Sequence, residues 1–282
     1  MIKLITTLII LLISAVSMAQ DFQGKAYYMS KTSVDMDNFG GRQMNEEQKK
    51  RILDRMKSMF EKTYELTFNK SESLYKEEEK LEAPGQGGGG RFGGFSATAG
   101  PQYKNVKEGK LLQEQEFFGK KFLIKDDLQP LEWVMGSETK QIGKYTCFKA
   151  TATTTDNSFD ISSAFRGRGR NNNESNNDAT KAADEAEVSK EITITAWYTP
   201  QIPINQGPGE YWGLPGLILE VQSGKTTILC SKIVMNPEDQ KEIKAPSKGK
   251  EISQKDYNET VKKKTEEMRE QFSRGRGGRG RQ

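Results

Sequence analysis

The 282-residue chain contains no histidine and only two cysteines, Cys147 and Cys230. Without histidine there is no Ser-His-Asp or Cys-His nucleophile and no His-containing zinc site, and two cysteines fall short of a four-Cys metal cluster. Apolar residues are also scarce, at 34% against roughly 45–50% in typical globular chains. Charged residues make up 29% and there are 27 glycines, so part of the chain cannot be core. Neither sign of charge dominates, with 43 Lys and Arg against 39 Asp and Glu. After the N-terminus no run approaches the 18 or so apolar residues that a membrane-spanning helix needs.

What is present begins with that N-terminus. Met1 to Gln20 carries Lys3, then an apolar run from Leu4 to Val16, then Ser17-Met18-Ala19 as a small-x-small site. This is the pattern of a secretory signal peptide over residues 1–19, cleaved after Ala19, and it is short for a retained anchor. No cysteine lies near the cleavage point to take a lipid. The expected location is therefore outside the cytoplasm: periplasmic, outer-membrane-associated or extracellular. In an oxidising compartment Cys147 and Cys230 can be read as one disulfide closing a loop of about 80 residues, worth on the order of 4 kcal/mol. The rival reading is two buried thiols behaving as small apolar residues.

Periodicity then divides the chain. Phe22 to Val34 reads as an opening strand, and Asn45 to Lys62 changes to helical spacing, with Ile52, Leu53, Met56, Met59 and Phe60 on one face and Asn45 as N-cap. That face packs on a sheet or, as a Met-rich stripe, lines an apolar cleft with Met56, Met59 and Phe60. Thr63 to Phe68 and Glu72 to Lys80 follow as strands about a turn at Asn69-Lys70. Further strands are expected at Leu111–Phe118, Lys121–Lys125, Leu131–Met135, Lys144–Thr155, Glu191–Tyr198, Leu217–Gln222 and Thr226–Val234, several joined by hairpin signals such as Gly119-Lys120 and Ser223-Gly224-Lys225. Ser253 caps a C-terminal helix whose Tyr257, Val261, Thr265, Met268 and Phe272 share one side. Residues 84–101 and 165–187 are low-complexity insertions without periodicity, expected to be disordered, and residues 273–282 form an Arg/Gly tail. The domain proper is thus residues 20–272. The fold class expected is mainly β (α+β): a curved antiparallel sheet, by analogy an unclosed half-barrel, with one helix in the N-terminal half and one at the C-terminus.

Chemistry is sparse along most of this framework. Asp126, Asp127, Asp156 and Asp160 are read as turn residues, since their spacing matches no twelve-residue calcium loop. The glycine-rich stretch lacks a phosphate-cradling GKS or GKT. The Arg/Gly runs would suit anionic envelope polymers, since an exported protein meets little nucleic acid. No catalytic residue, metal or cofactor is assigned.

One segment differs. Ala196 to Val221 reads AWYTPQIPINQGPGEYWGLPGLILEV. Pro200, Pro203, Pro208 and Pro215 forbid a helix or a regular central strand, so this is a fixed crossover between two strands. Gly213 and Gly216 flank Leu214-Pro215, where positive φ or close backbone approach is needed. Leu217, Ile218 and Leu219 then start a strand covered on both faces.

Gly213-Leu214-Pro215-Gly216-Leu217-Ile218 is the hexapeptide of the GLPGLI family of exported bacterial proteins, which this chain resembles. Trp197-Tyr198-Thr199-Pro200, Pro203, Gly207-Pro208 and Glu220 sit in the family-like surroundings. A second stretch, Trp133 to Ala150, places Trp133, Ile142, Gly143, Tyr145, Cys147, Lys149 and Ala150 in a similar pattern. The resemblance spans about residues 60 to 235. It implies an exported protein of unassigned activity, often associated with outer-membrane TonB-dependent receptors, and it supplies no catalytic residue. Two functional classes follow. One is a non-enzymatic binding or accessory protein, carrying an apolar ligand or serving an outer-membrane receptor, with the crossover as its rim. The other is a carboxylate-dependent hydrolase of envelope glycans or peptides. The crossover also admits a purely structural reading, in which it only closes the fold.

Overall fold

The computed structural model describes residues 22–33, 45–78, 98–155, 191–238 and 242–276. The segment read as a signal peptide (1–19), Asp156 and Asp160, the low-complexity run 165–187 and the end of the tail from residue 277 lie outside them. Twelve strands form one open sheet. In chain order they are β1 (Gly24–Thr32), β2 (Glu61–Phe68), β3 (Glu72–Glu77), β4 (Thr98–Asn105), β5 (Lys110–Phe117), β6 (Lys120–Asp127), β7 (Val134–Ile142), β8 (Tyr145–Thr155), β9 (Glu191–Thr199), β10 (Leu217–Ser223), β11 (Thr226–Met235) and β12 (Lys250–Ile252). Helix α1 (Glu46–Phe60) precedes β2 and α2 (Gln254–Arg276) follows β12. Across the sheet the order is β12-β6-β5-β4-β3-β2-β1-β11-β10-β9-β8-β7. Neighbouring strands are antiparallel, with short turns at β2–β3, β4–β5, β5–β6, β7–β8 and β10–β11, except that the three-residue β12 pairs in parallel with β6.

Alternation decides which side of each strand is buried. Ala26 and Tyr28 of β1, Leu66 and Phe68 of β2 and Tyr75 of β3 point one way and share a core cluster with Cys147 of β8, Leu217 of β10 and Cys230 of β11. Strands β4 and β10 are five positions apart, about 24 Å along a flat sheet at the usual interstrand spacing. Lys104 of β4 nevertheless reaches Gly207, which lies against Ile218 of β10, so the sheet curls over. Both edges are blunted. Opposite the single residue Lys149, β7 places three, Gly136 to Glu138, a bulge that interrupts the ladder, and β12 is too short to template a partner strand.

The helices follow their signals. Asn45 caps α1: its side chain accepts from the Gln48 N–H at 2.8 Å, and Gln48 reaches back to the Asn45 N–H at 3.2 Å. The helix stops at Phe60, two residues before the sequence pattern suggested, because Glu61 opens β2 directly and pairs with Lys31 of β1. In α2, Ser253 Oγ accepts from the Asp256 N–H and Asp126 from the Gln254 N–H at 2.7 Å. Asp126, read as a turn residue, is thus a strand residue that takes a helix N-terminal donor. Tyr257 and Val261 of α2 pack on Phe117, Phe122 and Ile124 of β5 and β6, a third cluster. The helix continues to Arg276, into the stretch assigned to the tail. Arginine is a good helix former and suits a C-terminal turn.

Three sequence expectations are corrected. The region 84–101 is not an insertion throughout: β4 begins at Thr98, and Pro101 is tolerated because the β4–β5 register shifts between Ala99 and Gln102, a bulge of the sort where proline is admitted. The β5–β6 turn is Phe118-Gly119, with φ of 52° and 70°, rather than Gly119-Lys120, since a two-residue turn of this hand needs both central residues at positive φ. Cys147 and Cys230 are free thiols, not a disulfide. Strands β9 and β10 lie between theirs, three interstrand steps of about 4.8 Å along the sheet, where a bridge tolerates about 7 Å between Cα atoms. Burial pushes the Cys147 thiol up to about 11 and that of Cys230 to about 12.

Candidate functional site

The crossover runs from Pro200 to Gly216, between β9 and β10. It holds itself by its own backbone: the N–H of Tyr211 donates to Pro208 O, that of Gly213 to Asn205 O, that of Leu217 to Ile202 O and that of Ile218 to Gln206 O, all within 3.1 Å. Its apolar side chains divide between two cores. Ile202 and Ile204 enter the cluster of β1 and β2, while Tyr211 and Leu214 join Ala150, Ile194, Ala196, Tyr198 and Val221 in a second. Leu217 and Leu219 belong to the first and Ile218 to the second, so the start of β10 is covered on both faces.

Two glycines do what their positions demand. Gly213 has φ +91°, a conformation L side chains rarely adopt. A Cβ on Gly216 would sit 2.2 Å from Thr199 O, so the backbones of the crossover and β9 touch there. Between them Leu214 is buried and Pro215 exposed. Gly207 and Pro208 are buried and Pro203 is exposed.

Beneath the crossover lies a buried polar group that sequence reasoning missed. Lys104 of β4 is wholly buried, and its Nζ donates to Gly207 O at 2.8 Å and Tyr211 O at 3.2 Å. Burial pushes this amine down to about 7, against a smaller upward pull from Glu210. Ser73, its cross-strand neighbour on β3, donates through Oγ to Gln206 Oε1 at 2.8 Å. The Gln206 Nε2 and Tyr75 hydroxyl are buried without a protein partner. Tyr28 donates its hydroxyl to Ile218 O at 2.7 Å. That bond bridges a gap: β10 pairs with β11 only from Glu220 to Ser223, leaving the Ile218 carbonyl to the tyrosine. Burial pushes the Tyr28 phenol well up. An amine that is half neutral near pH 7 would be nucleophilic in water, but Lys104 is closed off and bonded to carbonyls, so its chemistry is to hold the crossover. Lys104 carries no signal in the sequence: β4 begins inside the stretch 84–101 read as an insertion, and no element is expected over residues 102–110.

The remaining motif residues build the surroundings. Trp197 lies under Lys140 of β7, whose Nζ is 4.4 Å from the ring centre and 2.6 Å from Glu220 Oε2, a knot joining β7, β9 and β10. Tyr198 packs on Phe148 and faces Met135. The Trp133 indole donates to Trp212 O at 2.8 Å, and the Trp212 indole to Gln129 O at 3.1 Å. Next to this pair Val134 and Met135 are 68% and 52% exposed. Of the residues assigned to an apolar cleft, Phe60 is half-buried at the end of α1, and the side chains of Met56 and Met59 lie outside the described residues. Among the described residues no group of three or more Cys, Asp or Glu is placed to hold a metal ion, and no helix is long and apolar enough to cross a membrane.

Fold and site together define an open, curled antiparallel sheet closed on one side by a proline- and glycine-rich crossover. Residues 133–220 match the model of a family described as a protein of unknown function, Porph_ging. That span takes in the Trp133–Ala150 stretch and the hexapeptide, and the matching family is called Porph_ging, not GLPGLI. No curated protein matches the chain. Among solved structures, two of PNGF-II, in space groups C2 and P21, are similar at 14% and 15% identity with a TM-score of 0.45 each. They match over 85% of this chain, which spans about a third of their own length, 32% and 33%.

Proposed function

We propose that this is an exported cell-envelope protein that acts by binding, as an accessory partner of an outer-membrane receptor, through the rim formed by Trp133, Val134, Met135, Trp212 and Pro215. The observation that carries this reading is the placement of Val134 and Met135. A large apolar side chain left in water is costly, about 25 cal/mol for each Å² a partner would cover, and as successive residues of the edge strand β7 these two expose both faces of that edge, immediately after Trp133. What favours a protein partner over an apolar ligand is that the crossover and α2 already pack on the curled sheet, with Ile202, Ile204, Tyr211, Leu214 and Tyr257 buried against it.

The test is native mass spectrometry of the mature protein purified from its own envelope in mild detergent. A stoichiometric complex is expected, and it should be lost in the double variant Val134→Asp, Met135→Asp with an unchanged melting profile. A lipid-extractable adduct on a protein that carries no partner would replace this reading with that of a carrier.

A further inference from the structure

We propose that the crossover is a pH-sensitive strap latched by Lys104, held most tightly when the amine is neutral and loosening as it takes up a proton. The inference is independent of what the rim binds. Lys104 is the one charged side chain fully enclosed among the described residues, and both its hydrogen bonds go to the strap, at Gly207 and Tyr211. Opening the strap would return the amine to water; closing it takes the amine out. A closed site that disfavours the ammonium must therefore open more readily when the ammonium forms.

The groups facing Lys104 do not compensate a charge. From the strap come Glu210, which is exposed, and the Tyr211 phenol. From β3 come Ser73 directly opposite and Tyr75 one pleat along, and β5 sets Leu111 opposite. Asp126, beyond Leu111 on β6, is engaged with the N-terminus of α2. Among the titratable neighbours only Glu210 favours the ammonium; with the two carbonyls that accept from the amine it is outweighed by burial. The sign follows. The amine is held down to about 7 in the closed state, against 10.5 ordinarily. Strap stability is thus fully present above the ordinary value and falls as pH drops toward 7, below which it is flat.

The test is amide hydrogen exchange on the full mature chain at pH 7 and 8.5, corrected for intrinsic rates, reading Tyr211 and Gly213 in the strap against Ala150 and Ala196 in the sheet. Protection of the strap amides is expected to be lower than that of the sheet, and to rise on the order of tenfold between the two pH values. Lys104→Met should abolish the rise. Glu210→Gln, a change at an exposed side chain, should lower strap protection at pH 7, by at most about twofold since the closed amine is only half protonated there, because the ammonium loses its one carboxylate neighbour. Protection that is flat across this range, a rise that survives in Lys104→Met, or tighter protection in Glu210→Gln would overturn the latch. Equal protection of strap and sheet would show that the crossover leaves only on global unfolding, and would overturn the strap.

Discussion

The sheet is covered twice, by opposite means. Over β5 and β6 lies α2, a helix with a narrow apolar stripe whose Tyr257 and Val261 bury against Phe117, Phe122 and Ile124. Over β8 to β10 and β1 to β4 lies the crossover, with no regular structure, four prolines and, beneath it, the buried Lys104 of β4. The helix satisfies its own backbone and needs only apolar side chains at the right period. The crossover must satisfy each carbonyl and N–H individually, which is why Lys104 serves the Gly207 and Tyr211 carbonyls and Tyr28 that of Ile218 just beyond it, and why Gly216 touches neighbouring backbone. Cover by helix is tolerant, whereas cover by crossover is specific at the level of single atoms.

The largest expected effect comes from breaking the specific side. Gly216→Ala places a methyl group 2.2 Å from Thr199 O, where neither backbone can give way, and should cost more than about 4 kcal/mol. The measurement is a thermal melt, in which loss of the cooperative transition is expected; a variant melting within a few degrees of the parent would show that crossover and strand are not locked. Tyr257→Ala on the tolerant side removes an aromatic that packs edge-on against Phe122 with 5.5 Å between ring centres. It should cost about 3 kcal/mol by urea denaturation without changing exchange at Gly213. A comparable loss of protection at Gly213 would show that the two covers form one unit. Tyr28→Phe deletes a single hydroxyl and strands the buried Ile218 carbonyl, at about 2 kcal/mol in the same measurement.

How far the sequence revealed this structure follows the same division. Strand alternation, the Asn45 cap, the Ser253 cap and the start of the C-terminal helical stripe at Tyr257 and Val261 were all legible, because each is a local pattern with a local cause. In the crossover, the prolines and the Gly213 and Gly216 pair announced a rigid connection, and the unbroken apolar start of β10 announced cover on both faces. The polar underside was not legible. Lys104 lies 103 residues from the carbonyl of Gly207 and Tyr28 lies 190 from that of Ile218, and no periodicity encodes such pairings. Strand β4 escaped because it begins inside the stretch 84–101 read as an insertion, and the phase of the β5–β6 hairpin because Phe118 adopts a positive φ that its residue type does not suggest.

The smallest expected effect is zero, and it sharpens the comparison from the other direction. The two covers hold the sheet by packing and hydrogen bonds alone, so no covalent tie should share the load between β8 and β11. Cys147 and Cys230 both lie in the core cluster beneath the crossover, and burial keeps both thiols protonated through neutral pH. The thiolate, which is the reactive species, is therefore suppressed as well as enclosed. Adding dithiothreitol should leave the melting temperature unchanged, and a chromogenic thiol reagent at pH 8 should count no thiols in the native protein and two in guanidinium. A bridge closing about 80 residues would instead contribute on the order of 4 kcal/mol, and its reduction would lower the melting temperature by roughly 10 °C for a domain of this size. A fall of that kind would mean that β8 and β11 are covalently joined, and that the crossover is not the sole clamp on that side of the sheet.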